Sequence, residues 1–307
     1  MMRPASISRV AVLAGGFSKE REISLVSGNA AARALKAKGL EVTFIDFTRD
    51  MAALVATLER ANPDVVFNAL HGRFGEDGCI QGLLDMMRIP YTNSGRLASA
   101  VAMDKPMAKR MFAAAGIPVA EERVVTRAEA EKGDVMARPY VLKPVNEGSS
   151  VGVKIVRAGD NHPPLDDLGL DADDLIMAER FIPGREVTVA VMGDKPLAVT
   201  EITTGRDFYD YEAKYAAGGS QHVLPAQLSK KLTDQAMELS LAAHNILGCR
   251  GVSRADLRLD GKDFYMLEVN TQPGLTPTSL VPEQAQHIGM SFNDLIHWMV
   301  EHAQCDA

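Results

Sequence analysis

Between Arg254 and Asn270 the chain reads Arg254-Ala-Asp256-Leu-Arg-Leu-Asp-Gly-Lys-Asp-Phe-Tyr-Met-Leu-Glu268-Val-Asn270, two alternating runs about an Asp260-Gly261 turn signal. Side chains alternate along a strand, so Arg254 and Asp256 share a face opposite Ala255, Leu257 and Leu259. In the second run Met266, Glu268 and Asn270 share a face by the same rule. Antiparallel partners on one face carry position numbers whose sum is even. A two-residue loop pairs Leu259 with Lys262 and turns Asp256 away from Glu268, whereas a three-residue loop pairs Asp260 with Phe264 and sets Asp256 across from Glu268. The pattern therefore predicts a loop of three or five residues and a shared acidic face. Two carboxylates and an amide on one rigid face suit a hard cation such as Mg²⁺, with nucleotide phosphates completing its octahedron. The same residues would serve as a solvated polar face on an edge hairpin.

Composition narrows the class. A chain of 307 residues can bury more than one core, and 46% hydrophobic with 24% charged residues is ordinary for a globular protein. A net charge of −7 does not suit a nucleic-acid binder, whose phosphate contacts need clustered Lys and Arg. Cys79, Cys249 and Cys305 show no metal-ligand spacing, as expected of reduced thiols in a cytosolic protein. The first apolar run, Val10 to Ala14, is too short for a signal peptide. Nothing approaches the roughly 20 apolar residues that span a membrane.

The chain opens as βαβ: a strand over Val10–Ala14, a helix from about Glu20 to Lys38, and a strand over Glu41–Phe47. The Gly15-Gly16-Phe-Ser18-Lys-Glu20-Arg-Glu22 turn lets backbone approach a ligand at a helix start. A dinucleotide-binding oxidoreductase would place GxGxxG here, and Glu20 and Glu22 would repel its pyrophosphate. A glutamate at this point suits a substrate ammonium, or is an acid favoured by the helix dipole. Asp64–Asn68 is a third strand feeding Ala69-Leu-His71-Gly72-Arg-Phe-Gly75-Glu-Asp-Gly78. Such a loop, at the carboxyl end of a parallel strand, is where α/β sheets place ligands.

Ser99 to Ala115 is helical in pattern and contains Met103-Asp104-Lys105. Further on, the strand lysine Lys143 leads into Glu147-Gly-Ser149-Ser-Val-Gly152, which can cover phosphates through N–H groups, hydroxyls and an ammonium. A plain Gly-Ser hairpin turn uses the same residues. Residues 157–174 read as loop, and Pro183-Gly184 as a hinge after a strand from Leu175. Val187–Val191 and Leu197–Ile202 pair across Gly193-Asp194. Asp207–Tyr215 fits a mobile lid, Leu228–Leu247 an amphipathic helix, and Ser291–His302 a last helix with Trp298 in the core.

Six stretches taken in order form a more specific set. They are Gly15-Gly-Phe-Ser-Lys-Glu-Arg-Glu-Ile-Ser24, Leu70-His-Gly-Arg-Phe-Gly-Glu-Asp-Gly78, Met103-Asp-Lys105, Lys143 with its Gly/Ser turn, Phe208-Tyr-Asp-Tyr-Glu-Ala-Lys-Tyr215, and Glu268-Val-Asn-Thr-Gln-Pro-Gly274. Through them the chain resembles the ATP-grasp ligases, and among these the D-alanine–D-alanine ligases, nearly end to end. The resemblance implies an α/β fold (α+β in the ATP-grasp part) of three domains. These would be an open parallel-sheet substrate domain over 1–98, a central ATP-grasp unit over 99–183, and a C-terminal unit with the metal site over 184–307.

The resemblance also assigns roles. Lys105, Lys143 and Lys214 would contact ATP phosphates. Glu179, Arg180, Phe181 and Ile182 would hold adenine, largely by backbone, and Glu186 the ribose hydroxyls. Asp256, Glu268 and Asn270 would bind two Mg²⁺ (or Mn²⁺). Glu20 would take the first D-alanine's ammonium within a hydrogen-bonded group that includes Ser149 and Tyr215 and latches the lid. His71 would lie near the first carboxylate, and Ser279 and Leu280 would receive the second. Arg254 and the Gly274 N–H would stabilise the tetrahedral oxyanion. The implied reaction joins two D-alanines through an acyl phosphate for peptidoglycan, in a cytoplasmic homodimer. A ligase with a D-lactate or D-serine acceptor and a nucleotide-binding regulator are the alternatives. Three departures stand out: Phe181 where many relatives carry Trp, Gln272 where a small residue is common, and a Pro-rich stretch from Asn161 to Asp174 that reads as shorter and less helical than the family's helix there.

Overall fold

The computed structural model describes residues 7–146, 152–161, 165, 168, 170–203, 221–276 and 278–306. Ser149, Lys214, Tyr215 and the Asp207–Tyr215 lid lie outside the described residues. The chain opens with β1 (Arg9–Gly15), α1 (Arg21–Ala37), β2 (Glu41–Phe47), α2 (Met51–Ala61) and β3 (Val65–Asn68). Its strands form a parallel sheet in the order β2-β1-β3. A parallel sheet needs apolar side chains on both faces. Accordingly Val10, Val12, Val65 and Phe67 enter one core while Ala11, Leu13 and Val66 enter another.

Asp64 fastens the start of β3 to β1, its carboxylate accepting the N–H groups of Ser8 (2.9 Å) and Arg9 (2.8 Å). Burial pushes this carboxyl up, but those N–H groups and the Arg9 guanidinium outweigh it and bring it down to about 2. A carboxyl lowered by folding stabilises the protein above its unfolded value, and that contribution is lost as pH falls through the folded value. Asp64→Asn is therefore expected to flatten the decline in stability between about pH 4 and pH 2. Urea midpoints measured across that range check it.

Next come α3 (Cys79–Met86), α4 (Arg96–Met103) and α5 (Lys105–Ala114). The single helix expected over 99–115 is thus two helices broken at Asp104. That residue is extended and its carboxylate caps α5 by accepting the Met107 N–H at 3.0 Å. Pro106 lacks an N–H and fits only a first turn, which favours the break. Lys105 is thereby set at the start of α5, buried.

β4 (Glu122–Thr126), α6 (Arg127–Ala130), β5 (Tyr140–Pro144), β6 (Lys154–Val156) and β7 (Leu175–Arg180) follow, with an antiparallel sheet ordered β4-β7-β5-β6. The larger antiparallel sheet, β10-β9-β8-β11-β12, uses β8 (Arg185–Met192), β9 (Lys195–Thr203), β10 (Gln221–Val223), β11 (Val252–Leu259) and β12 (Phe264–Asn270). Between β10 and β11 runs α7 (Lys230–Ile246), capped by the Ser229 hydroxyl. One face of this sheet packs Val187, Val189, Ala255, Leu257, Phe264 and Met266 against Phe112 of α5 and Ala236 and Ala243 of α7. The other carries Glu186, Thr188, Arg254, Asp256, Glu268 and Asn270.

In the β11–β12 hairpin Asp256 does pair with Glu268, but by a different route from the one expected. The loop has four residues, Asp260 to Asp263, because Leu259 pairs with Phe264. The Asp260 carboxylate closes it by accepting the N–H groups of Lys262 (3.0 Å) and Asp263 (2.9 Å). That odd register is corrected by a bulge at Leu267, where the pairing shifts between Asp256 and Leu257. Met266 consequently faces the core, not the side of Glu268 and Asn270. Its N–H bonds to the Pro118 carbonyl at 2.8 Å, outside the hairpin.

Finally α8 (Leu280–His287) and α9 (Phe292–Glu301) return to the first sheet. Leu295, Ile296, Met299 and Val300 complete the core that Val10, Val12 and Phe67 begin, and Trp298 packs at its edge. Gln304 bridges to Tyr91, and Asp294 pairs with Lys38. No helix among the described residues is long and apolar enough to cross a membrane.

Candidate active site

The carboxyl ends of β1 and β3 bring Glu20 and His71 together. Ser24 ties the two exits, its hydroxyl accepting the Gly15 N–H (2.9 Å) and donating to the Ala69 carbonyl (2.8 Å). Ser18 ties them again, donating to the His71 carbonyl at 2.7 Å and accepting the Glu20 N–H at 3.2 Å. Glu20 precedes α1 yet makes no capping bond, and its side chain is buried. Gly72, at φ +69°, allows this: a Cβ there would lie 2.9 Å from Glu20 Oε2. Burial holds the His71 imidazole below its usual value, against the raising effect of Glu20. Its Nε2 is buried and has no hydrogen-bond partner among the described residues. Glu76, on the same loop, is also buried; burial and then the Glu20 carboxylate push its carboxyl up to about 8.

On the polar face of the larger sheet, Arg254 forks onto Asp256 through Nε (2.9 Å) and an Nη (2.7 Å). Thr188, across on β8, donates to the same carboxylate at 2.7 Å. Glu268 lies 4.0 Å from the Lys105 ammonium. Asn270 pairs with Arg254 in the ladder, and its Oδ1 accepts the Gln272 N–H at 2.8 Å. Among the described residues no group of three His, Cys, Asp or Glu side chains gathers as a metal cage. What the face offers is two carboxylates and an amide oxygen, an all-oxygen set that fits a hard cation sharing its shell with phosphates.

Lys143, one of the lysines named for ATP, rests on a buried ion cluster. Glu179 lies between Lys143 (2.6 Å) and Lys109, and Lys109 also reaches the Ala120 carbonyl (2.9 Å) and Glu122 (3.2 Å). Burial works against the charge on Lys143, but Glu179 raises its value above the ordinary one. The Glu179 side chain is thus committed within the protein, which leaves backbone for a base. Arg180 ends β7 with its guanidinium over the Tyr265 ring, 5.2 Å from the centroid. Arg258 donates to the Ile182 carbonyl (3.1 Å) and to Glu186 (3.2 Å), with Phe181 beneath its guanidinium. Lys109 and Arg258 were not singled out from the sequence. Lys109 stands four residues after Lys105 on one helix face, and Arg258 shares the strand parity of Asp256, so spacing could have found both.

Gly274 sits beside Ser279, whose Oγ accepts the Thr276 N–H at 3.1 Å and whose backbone begins α8 ahead of Leu280. A cavity of about 330 Å³ is lined by Glu20, His71, Glu76, His222, Arg254, Glu268, Asn270, Gly274, Ser279 and Leu280, among others. A larger hollow of about 660 Å³, edged by Arg73, Asp77, Asp104 and Asp173, gathers none of the residues to which the resemblance assigns a role. Gln272 has a role in joining the parts. Its Nε2 donates to the Asn68 carbonyl (2.5 Å) and its Oε1 accepts from Asn93 (3.0 Å), both near the first sheet. Gln272→Ala is expected to cost about 2 kcal/mol by orphaning those buried groups. Urea unfolding measures it, and a loss under about 0.5 kcal/mol would show water replacing the amide.

Comparison with known proteins agrees with this arrangement. The family model "D-ala D-ala ligase C-terminus" matches residues 111–301, and "D-ala D-ala ligase N-terminus" matches 51–94. The D-alanine–D-alanine ligase of Rhodospirillum rubrum is 61% identical over 299 residues, covering 97% of this chain and 99% of that one. The ligase of that name from Paramagnetospirillum magneticum is 58% identical over 305 residues, with 97% and 99% covered. Among solved structures, the Bacillus anthracis D-alanine–D-alanine ligase complexed with ATP superposes with a TM-score of 0.80 at 27% identity, covering 96% and 97%. A second Bacillus anthracis structure of that ligase gives 0.81 at 31% identity over the same shares. The chain belongs to the D-alanine–D-alanine ligase family.

Proposed function

We propose that the protein joins two D-alanines into D-alanyl-D-alanine for peptidoglycan, with ATP converted to ADP and phosphate. The supporting observation is the single cavity of about 330 Å³ in which Glu20, His71, Arg254, Gly274 and Ser279 converge. Glu20 pairs with the first substrate's ammonium, turning its carboxylate toward the nucleotide with His71 beside it. Lys105 and Lys143 hold the phosphates, Glu186 the ribose and residues 179–182 the adenine. Two Mg²⁺ (or Mn²⁺) held by Asp256, Glu268 and Asn270 would offset charge on the transferring phosphoryl group.

The first carboxylate takes the γ-phosphate, and the second D-alanine's amine then attacks the acyl phosphate carbon and expels phosphate. Arg254 and the Gly274 N–H meet the oxyanion that forms, a donor role typically worth about 3–4 kcal/mol. Ser279 and the amino end of α8 at Leu280 take the second carboxylate. Lys214 would join Lys105 and Lys143 on the phosphates, and Ser149 and Tyr215, hydrogen-bonded with Glu20, would latch the lid that keeps water from the acyl phosphate. The units 1–98, 99–183 and 184–307, the cytoplasmic location and the homodimer complete the proposal; light scattering of the purified protein tests the dimer.

A coupled assay for ADP with ATP, Mg²⁺ and D-alanine is the direct test. D-alanine-dependent ADP and dipeptide formation is expected, with D-lactate and D-serine as poorer acceptors. ATP binding without D-alanine-stimulated turnover would indicate a regulator and overturn the reading.

A further inference from the structure

An enzyme that joins two amino acids has two ammonium groups to receive, and Glu20 accounts for one. The same cavity holds a second buried carboxylate, Glu76, on the glycine-rich loop after β3. Gly72 stands between the two acids. Its N–H meets the Glu76 carboxylate, and its α-carbon packs so closely on Glu20 that a Cβ would lie 2.9 Å from Oε2. Lys105 and Glu268 face Glu76 from α5 and β12, and among the described residues no cation comes within ion-pair distance of it. His71 Nε2, buried in the same wall, has no hydrogen-bond partner among the described residues.

Two carboxylates buried side by side are costly until a cation joins them. The upward push on the Glu76 carboxyl expresses that cost. Ser279 and Leu280 lie in the same cavity and take the carboxylate end of the second amino acid under the proposed function, leaving its ammonium to be placed. Resting on that reading, we propose that Glu76 receives the ammonium of the second D-alanine and holds its nitrogen toward the carboxyl carbon of the first.

The test compares two nucleophiles with full-length protein, ATP and Mg²⁺. Hydroxylamine is uncharged at neutral pH and displaces phosphate from the activated first D-alanine to give a hydroxamate, with no ammonium to anchor. In Glu76→Gln, hydroxamate formation is expected to stay within about threefold of wild type while kcat/KM for the second D-alanine falls on the order of 100-fold. Glu76→Asp, which keeps the charge, recovers part of that loss. Should Glu76→Gln not fold, Glu76→Asp alone is expected to show the same selective loss in milder form. Parallel loss of both products, or an unchanged dipeptide rate, would overturn the assignment. A wild-type protein that yields neither product overturns the ligase reading itself.

Discussion

Glu268→Gln is expected to lower kcat by about a thousandfold while the folded protein persists. Glutamine keeps the shape and one oxygen donor but removes the charge that the proposed divalent cation would need from β12. Little stability goes with it, because the Glu268 side chain is 29% exposed and stands 4.0 Å from Lys105, a pair worth at most about 1 kcal/mol. Asp256 would be a less clean choice, since Arg254 and Thr188 both bond to it and its loss would also free the guanidinium assigned to the oxyanion. Dipeptide formation measured against Mg²⁺ concentration, alongside a thermal melt, reads both effects. Turnover near the wild-type rate with an unchanged metal requirement would remove Glu268 from the metal set.

Glu179→Ala should be the most destabilising of the single changes considered, by about 3–5 kcal/mol. The carboxylate separates two buried ammonium groups, Lys143 and Lys109, and its removal leaves like charges facing each other out of water. Although burial pushes the Glu179 carboxyl up, Lys143 and then Lys109 hold it below its ordinary value, so this carboxylate is ionised throughout the neutral range. Adding Lys109→Met to Glu179→Ala removes one of the two facing ammonium groups and should restore part of the loss, a non-additivity that urea unfolding of the three variants detects. ATP affinity should fall with it, because Lys143 loses the partner that orients it. A cost below about 1 kcal/mol would mean that water enters and solvates the lysines.

Patterns local to a few residues carried much of the architecture. The βαβ opening was visible in the Val10–Ala14 and Glu41–Phe47 runs, and the pairing of Asp256 with Glu268 was expected, though through a loop length that the hairpin does not have. What escaped depends on partners far away in the chain. Nothing within the hairpin marks Leu267 as a bulge, because its cause lies with Pro118, whose carbonyl takes the Met266 N–H. The break at Asp104 was legible in principle, since Asp followed two residues later by Pro is a helix-start signal, but the apolar spacing on either side masked it. Glu76 was not singled out from its motif, because no spacing rule conveys its burial. Gln272 read as a departure from a motif, and its meaning appears only once Asn68 and Asn93 are seen beside it.

The closing of the first sheet's core by Leu295, Ile296, Met299 and Val300 bears on how the chain is made. A ribosome delivers β1 long before α9, so the opening module emerges with an oily flank uncovered and must wait for almost the whole polypeptide before it can seal. During that wait it is a client for chaperones rather than a finished unit, and premature termination near Asp294 would leave a nascent fragment prone to aggregate.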